Sequence, residues 1–265
     1  MMLDVNHVYK TFHPGTINER RALAGVDLHL EEGDFVTVIG GNGAGKSTLL
    51  NAVAGVWPVD GGSIVIDGND ITGLPDYKRA PFIGRVFQDP MMGTAPDMQL
   101  EENLALAYRR GKKLGLRWHI NREERDMYRE RLRELNLGLE DRLTTKVGLL
   151  SGGQRQAVTL LMASLQKPRL LLLDEHTAAL DPATAAKVLE LSDRIVQENG
   201  LTTMMITHNM KDAIRHGNRL IMMNKGEIIF DCRGEEKAML TVEDLLEQFA
   251  PISGSARDSA RALLG

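Results

Sequence analysis

Cysteine is almost absent from this 265-residue sequence, in which Cys232 is the single one. One cysteine excludes an internal disulfide and is typical of a protein from a reducing compartment. Because Cys232 follows a strand-like run, we interpret it as a small buried or edge residue and not as a reactive thiol.

Long apolar stretches are absent too, since no segment approaches the roughly 18 uninterrupted apolar residues that a membrane-spanning helix requires. The N-terminal MMLDVNHVYK lacks the apolar region of a secretion signal. We therefore expect a cytoplasmic protein. Neither sign of charge dominates, because 32 Lys and Arg stand against 36 Asp and Glu, and the net charge of −4 argues against general binding to nucleic acid.

The most informative stretch comprises residues 35–54, where FVTVIG is followed by GNGAGKST and LLNAVA. The first segment predicts a buried strand of a parallel sheet, and the last predicts a helix. The glycines between them fit G-x-x-x-x-G-K-[ST] and let successive N–H groups point at an anion, to which the helix adds its positive dipole end. Lys46 can reach the outer phosphates, and the Ser47 hydroxyl can bind Mg²⁺. We predict a nucleotide-phosphate site with these residues: Gly40, Asn42, Gly43, Ala44, Gly45, Lys46, Ser47 and Thr48.

Two neighbouring acids, Asp174 and Glu175, end the apolar run LLLLDE. Sheets of α/β proteins bind their ligands at such strand ends. One carboxylate there can hold Mg²⁺, directly or through water, and its neighbour can orient and deprotonate an attacking water. Paired acids at a strand end are common, but together with the phosphate loop they indicate phosphoryl transfer to water.

A second glycine-containing helix start occurs in LSGGQ, residues 150–154. Ser151 is a suitable helix cap, and Gly152 and Gly153 leave the free N–H groups of the helix open to an anion. A plain capped helix would explain the serine but not both glycines. The chain therefore contains two phosphate-suited helix starts, although one nucleotide needs only one such loop.

The remaining pattern predicts an α/β fold with a mostly parallel sheet and helices on both faces. Predicted strands cover residues 3–9, 26–30, 35–39, 63–66, 82–87, 170–174, 203–207, 219–223 and 227–231. A polar loop is expected at residues 14–21. A charged helical block at residues 101–136 suggests an inserted helical subdomain, and further helices are expected at residues 154–165, from Pro182 onward, in a short segment after residue 207, and at 241–249.

The motifs GGNGAGKST, Gln88, LSGGQRQ, LLLLDE, AALD at residues 178–181 and His208 together resemble the full motif set of an ABC-type ATPase. They occur in that family's order, and the resemblance covers roughly residues 3–232. It implies a P-loop NTPase core with an antiparallel β subdomain and a helical subdomain at about residues 92–166. This single domain would span residues 1–250, followed by a loose tail at 251–265.

The resemblance also implies roles around bound ATP and Mg²⁺. These are Glu175 as general base, Asp174 and Ser47 as magnesium partners, Gln88 as a sensor of magnesium and the attacking water, His208 as a contact of the γ-phosphate, and Asp181 as a link between two sites. Two copies would pair head to tail. Each nucleotide would lie between the phosphate loop of one chain and the signature of the other, formed by Ser151, Gly152, Gly153 and Gln154.

Two positions allow alternatives. Phe12 matches the aromatic that stacks on adenine in the family, with Tyr9 as the competing candidate. Phe12 is preferred, since Tyr9 falls within a strand pattern and is expected to pack. His176 stands where most members have proline. It is either a titratable neighbour that shifts Glu175 or a tolerated turn substitution, and the second interpretation is preferred.

Two surface segments point to partners. The loop at residues 91–98 exposes several methionines beside Gln88, and in the family this region faces the membrane subunit, so we expect a permease contact there. The second segment is a run of basic residues, which we interpret first as a face exposed to solvent. Binding to anionic lipid head groups is the second interpretation, and binding to nucleic acid is the least favoured. The run comprises Arg109, Arg110, Lys112, Lys113 and Arg117.

The function implied is that of an ATP-hydrolysing subunit on the cytoplasmic face of a membrane, beneath permease subunits that also engage a substrate-binding protein. The stretches VFQDPMMGTAP and DEHTAALD resemble importers whose permeases are like those for branched-chain amino acids, which favours uptake of a small solute such as an amino acid. The alternatives are an exporter or lipid-transport ATPase and a soluble ABC ATPase acting on ribosomes or DNA. One phosphate loop, one signature and no sustained heptads disfavour the soluble class.

Overall fold

The computed structural model describes residues 2–112 and 119–249, and its contacts divide them into two units. One unit comprises residues 2–79 and 200–249, and the other comprises the described part of residues 80–199. Lys113, Arg117 and the predicted tail at residues 251–265 lie outside the described residues.

The strands are β1 (Leu3–Phe12), β2 (Arg20–Leu30), β3 (Phe35–Ile39), β4 (Gly61–Ile66), β5 (Asn69–Asp70), β6 (Ile83–Val86), β7 (Leu170–Asp174), β8 (Thr202–Ile206), β9 (Arg219–Asn224) and β10 (Glu227–Arg233). The helices are α1 (Lys46–Ala54), α2 (Asp76–Arg79), α3 (Leu100–Tyr108), α4 (Arg122–Arg133), α5 (Gly152–Ser164), α6 (Pro182–Asn199), α7 (Met210–Arg215), α8 (Glu235–Ala238) and α9 (Val242–Phe249). A 3₁₀ turn, Val147–Leu149, precedes α5.

The first unit contains an antiparallel sheet in the order β2-β1-β4-β5, which confirms the predicted antiparallel β subdomain. It also contains the strand order β10-β9-β3-β8, in which β3 pairs in parallel with both β8 and β9. Every residue of β3 is buried, as a continuous apolar run predicts for a central parallel strand. Cys232 is buried on β10, as predicted.

The loop predicted at residues 14–21 is shorter in the structure. β1 continues to Phe12 and β2 begins at Arg20, and these two residues are register partners. Backbone hydrogen bonds are enough to pair the two strands near the end of the hairpin. The side chains there are mostly polar, so no apolar pattern in the sequence marks these ends of β1 and β2. Tyr9 and Phe12 therefore belong to the same strand, and strand membership does not distinguish them.

In the second unit, β6 and β7 pair in parallel, with Val86 opposite Leu173. The predicted helical block contains α3 and α4, and each begins at a capping box. Gln99 pairs with Glu102 at the start of α3, and Asn121 pairs with Glu124 at the start of α4. Among residues 2–112 and 119–249, no helix combines the length and apolar character needed to cross a bilayer.

Candidate nucleotide site

The phosphate loop joins β3 to α1 and is built from glycines in the left-handed region. Gly40 has φ 151°, Gly43 φ 80° and Gly45 φ 108°. A Cβ on Gly45 would lie 2.6 Å from the carbonyl oxygen of Ala22, so both its conformation and its surroundings require glycine. Gly45 caps α1 without any side-chain hydrogen bond, and the first turn of the helix contains no acid. The start of α1 therefore favours an anion.

Lys46 is the first residue of α1, and its side chain turns back over the loop. It is only 6% exposed, and its Nζ donates hydrogen bonds to the carbonyl oxygens of Gly40 at 2.7 Å and Gly41 at 3.3 Å. This places a positive charge beside the loop, where the outer phosphates of a nucleotide are expected. Ala44 is buried, Asn42 and Ser47 are exposed, and Thr48 is half-buried.

One cationic side chain reaches this loop from β2, and its register partner Phe12 belongs to an aromatic pair in the same unit. The ring of Phe12 meets that of Trp57 edge to face, with centroids 4.9 Å apart. Opposite Phe12, Arg20 donates from Nη2 to the carbonyl oxygen of Gly43 at 3.1 Å. Neither Trp57 nor Arg20 was predicted. Arg20 is brought to the loop by the pairing of β1 with β2, from 23 positions away.

His208 follows β8 in the same unit. In the parallel pair of β3 and β8, Val38 lies opposite Ile206, so His208 and the first glycine of the loop leave the sheet at the same edge. Asn209 caps the next helix, α7, by accepting hydrogen bonds from the N–H groups of Lys211 and Asp212. The role of His208 toward a phosphate stays a prediction.

In the second unit, Gln88 and the acids Asp174 and Glu175 share another strand edge. The last register pair of β6 and β7 is Val86 with Leu173, and both chains leave the sheet directly after it. Gln88 is exposed, and both acids are half-buried. The parallel pairing of β6 and β7 thus brings together residues that come from two separate motifs.

Asp174 has a cationic neighbour that no local sequence pattern predicts. Arg85 donates from Nη2 to Oδ2 of Asp174 at 3.3 Å, and its guanidinium lies 4.5 Å from the ring centroid of Phe87. Burial lowers the pKa of Arg85, and the negative charge of Asp174 opposes that shift.

The helix start at residues 151–154 has the predicted cap. Ser151 Oγ accepts from the N–H of Gln154 at 3.3 Å, and the Gln154 side chain accepts from the N–H of Ser151 at 3.2 Å, which completes a capping box. Gly153 also has a packing role. A Cβ there would lie 2.2 Å from the methyl group of Thr184, so glycine lets α5 approach the start of α6. Packing thus provides a reason for one of the two glycines that a cap alone did not explain.

Asp181 caps α6, accepting from the N–H of Thr184 at 3.1 Å. Hydrogen bonds from the hydroxyl and then the backbone N–H of Thr184 hold the pKa of Asp181 below its ordinary value. His176, on the turn between β7 and α6, is 2% exposed, and its Nε2 lies 2.9 Å from Ser192 Oγ.

The predicted partner loop and the basic run are both in the second unit. Met91 and Met92 are 38% and 70% exposed. In the described part of the basic run, three side chains contact other protein groups, which a face exposed only to solvent would not do. Arg109 pairs with Glu124, Arg110 donates to the carbonyl oxygen of Ala163, and Lys112 lies over the ring of Tyr108. Glu124 and Ala163 lie near the ends of other helices in the unit, so the local run of charges could not predict these two contacts.

The residues predicted to bind Mg²⁺ carry oxygen donors. Ser47 in the first unit offers a hydroxyl and Asp174 in the second unit offers a carboxylate, and both are the hard ligands that this ion prefers. In the described part of the chain, no group of three or more His, Cys, Asp or Glu side chains could hold a metal. Mg²⁺ usually takes most of its ligands from substrate phosphates and water.

A family model described as ABC transporter matches residues 23–178. The chain belongs to the ABC transporter family. A tyrosine transport ATP-binding protein of Clostridioides difficile is 46% identical over 254 residues, which cover 94% of this chain and 98% of that protein. A xylose/arabinose import ATP-binding protein of Sulfolobus acidocaldarius is 33% identical over 250 residues, covering 94% and 95%.

Solved structures of the ABC family have the same fold. A dimeric ATP-binding cassette in a post-hydrolysis state with ADP and Pi is 30% identical, with a TM-score of 0.74, and the match covers 88% of this chain and 98% of that one. A nucleotide-free cassette is 27% identical, with the same TM-score, and covers 93% and 95%. The predicted ABC ATPase fold and the predicted ATP hydrolase coupled to transport are confirmed.

Proposed function

We propose that this ABC ATPase powers the uptake of a small solute, with an amino acid as the substrate class. The observation that supports this proposal is the 46% identity, over nearly both full lengths, to a tyrosine transport ATP-binding protein. The sugar-import relative is less similar, at 33% identity, and provides the competing substrate class. The transported substrate binds to other subunits of the transporter. The substrate class proposed for this chain is therefore inferred only from the names of its relatives.

ATP binds to the phosphate loop, where the N–H groups of the α1 start and the Lys46 ammonium meet its phosphates. Lys46 exchanges its hydrogen bonds to Gly40 and Gly41 for phosphate oxygens on binding, so the loop is already shaped for an anion. The ring of Phe12, braced by Trp57, stacks on the adenine.

Hydrolysis is carried by Glu175, which orients and deprotonates the attacking water as general base. Gln88 senses this water, and His208 contacts the γ-phosphate. Ser47 and Asp174 hold Mg²⁺, which when bound neutralises charge on the phosphates.

Two copies pair head to tail, and the capped start of α5, residues 151–154, faces the nucleotide of the partner. Asp181 couples the two sites. The dimeric state of a 30% identical cassette with ADP and Pi supports this arrangement. Closure on ATP and opening after hydrolysis then drive the permeases between states.

Substitution of the general base tests the mechanism. Glu175→Gln is expected to bind ATP, to hydrolyse it ~10²–10⁴-fold more slowly, and to accumulate as a dimer in size-exclusion chromatography. Lys46→Ala is expected to lose ATP binding and to stay monomeric. Glu198→Gln, an exposed site on α6, is the matched control and should behave as the native chain. Normal turnover in Glu175→Gln would exclude the assigned role.

The cassette is expected at the cytoplasmic face of the membrane, bound to permeases that receive cargo from a substrate-binding protein. Met91 and Met92 form the contact, since both side chains are exposed and flexible enough to fit a partner surface. Met91→Glu with Met92→Glu should abolish transport but leave ATP binding intact. Met239→Glu, at a site 75% exposed in the other unit, is the control. Unchanged transport in the double variant would refute the contact.

The substrate class is tested with the complete transporter in proteoliposomes. ATP hydrolysis should rise when the binding protein is loaded with an amino acid, aromatic ones included, and should stay basal with a pentose. Stimulation by the pentose alone would favour the sugar alternative. Purification with ribosomal or DNA-repair partners and no permease would contradict the transporter assignment itself.

A further inference from the structure

The turn that follows β7 holds Glu175 in an unusual backbone conformation. Glu175 has φ 46°, in the left-handed region that side-chain-bearing residues rarely adopt. Its carbonyl oxygen accepts a hydrogen bond from the N–H of Ala178 at 2.9 Å. Such a conformation is energetically unfavourable and persists only when its surroundings fix it.

The next residue, His176, is anchored to α6. Its side chain is 2% exposed, and Nε2 lies 2.9 Å from Ser192 Oγ. Ser192 is also buried, at 1% exposure, and its hydroxyl donates to the carbonyl oxygen of Val188 at 2.8 Å. A hydroxyl has a single proton, so Ser192 Oγ accepts from His176, and the proton of the imidazole lies on Nε2.

The anchor is a rigid one. α6 spans 18 residues, and its inner face is buried through Val188, Leu189 and Ile195. A buried hydrogen bond that loses one partner leaves the other polar atom unsatisfied, which penalises any rearrangement of the turn. The link from α6 through Ser192 and His176 therefore restricts the backbone immediately after Glu175.

We propose that His176 is a positioning residue, held by Ser192, that fixes the left-handed conformation and hence the direction of the Glu175 carboxylate. This inference rests on the proposed role of Glu175 as general base. A displacement of about 1 Å in a reacting group can cost on the order of 10²-fold in rate, so loss of the anchor acts on turnover. Nucleotide affinity depends on the phosphate loop instead.

Removal of the acceptor tests the proposal, with a matched serine as control. Ser164 is also buried in a helix of the same unit, and its Oγ donates to the carbonyl oxygen of Leu160 at 2.9 Å. Ser192→Ala and Ser164→Ala each remove a buried serine–carbonyl hydrogen bond, but only Ser192→Ala also releases His176. We expect Ser192→Ala to lower kcat by ~10-fold or more with an ATP Kd within about twofold, and Ser164→Ala to change neither value by more than about twofold.

Variants of His176 supply the second arm. His176→Ala should lower kcat as Ser192→Ala does, and the double variant should add little, since both act through one link. His176→Gln retains an N–H donor at a similar reach and should restore most of the lost kcat. Equal kcat in Ser192→Ala and Ser164→Ala, or no rescue by His176→Gln, would overturn the positioning role. Turnover retained by Glu175→Gln would instead contradict the role of Glu175, so the two failures are distinguishable.

Discussion

Arg85 donates a hydrogen bond from Nη2 to Oδ2 of Asp174, across the parallel pair formed by β6 and β7, at 3.3 Å. The two side chains are 14% and 16% exposed. An acid proposed to hold Mg²⁺ therefore has a cationic partner within its own unit. This pairing compensates part of the cost of burying the carboxylate.

Removal of this cation should destabilise the protein. Arg85→Met is expected to lower the free energy of unfolding by about 1–3 kcal/mol, because a largely buried carboxylate loses one of its partners. Urea unfolding without nucleotide or Mg²⁺ measures the effect. Asp174→Asn in the Arg85→Met background should cost less than it does alone, giving a coupling energy of about 1 kcal/mol in a double-mutant cycle. Additive effects would mean that the pair contributes no net stability.

Arg79 stabilises the end of the helix that begins at the phosphate loop. Its side chain is 2% exposed and donates to the carbonyl oxygens of Ala52, Val53, Thr72 and Leu74 at 2.7–2.9 Å. Burial lowers its pKa. Arg79→Met should reduce the free energy of unfolding by about 2–4 kcal/mol, since four carbonyl oxygens, two of them in buried hydrogen bonds, lose the guanidinium as a donor.

Chemical denaturation measures this change, and Arg21→Met is the control. Arg21 is an exposed arginine on β2 in the same unit. The control should alter stability by less than about 0.5 kcal/mol, as is usual for surface sites. A similar loss in both variants would contradict the role of Arg79.

Phe12, and not Tyr9, is expected to stack on the adenine. Both residues lie in β1, but Phe12 is supported edge to face by Trp57, while the hydroxyl of Tyr9 lies over Gly25. Phe12→Ala should weaken ATP binding by roughly 5–150-fold, because stacking of a base on an aromatic ring contributes about 1–3 kcal/mol. Phe12→Tyr should keep the affinity, and Tyr9→Ala should change it by less than about twofold. Calorimetric titration with ATP decides, and a larger loss in Tyr9→Ala would reverse the assignment.

Cys232 should resist thiol reagents in the folded protein. It is buried on β10, and burial raises the pKa of its thiol to about 11. Since the unfolded thiol ionises near pH ~8.5, alkylation by iodoacetamide at pH ~8 should be at least about 10²-fold slower in the native chain than in urea. Rapid labelling of the native chain would contradict this environment.

The same shift makes stability depend on pH. The folded pKa of Cys232 lies above the unfolded value, so its contribution is complete below the unfolded pKa and is lost as the pH rises toward about 11. The loss has a simple origin, because only the unfolded thiol ionises in that range. Cys232→Ala should lack this part of the alkaline decline in the free energy of unfolding.

Local patterns predicted the elements whose signal lies in consecutive residues. β3 and β7 have the predicted bounds, because an unbroken apolar run ending at a glycine or an acid marks a buried parallel strand at both ends. The cap of Ser151 was also predictable, since a capping box spans only four residues. The end of β1 was not, because strand pairing near Phe12 and Arg20 leaves no apolar signal.

The sequence by itself determined the phosphate loop, the paired acids, the capped signature helix and hence the family, since each of these is a contiguous motif whose chemistry requires fixed residue types. Only the tertiary structure decided what supports them. Arg85 reaches Asp174 across 89 positions, and His176 reaches Ser192 across 16. At such separations, strand register and helix packing decide which donor contacts which acceptor. Local periodicity in the sequence predicts neither the register nor the packing.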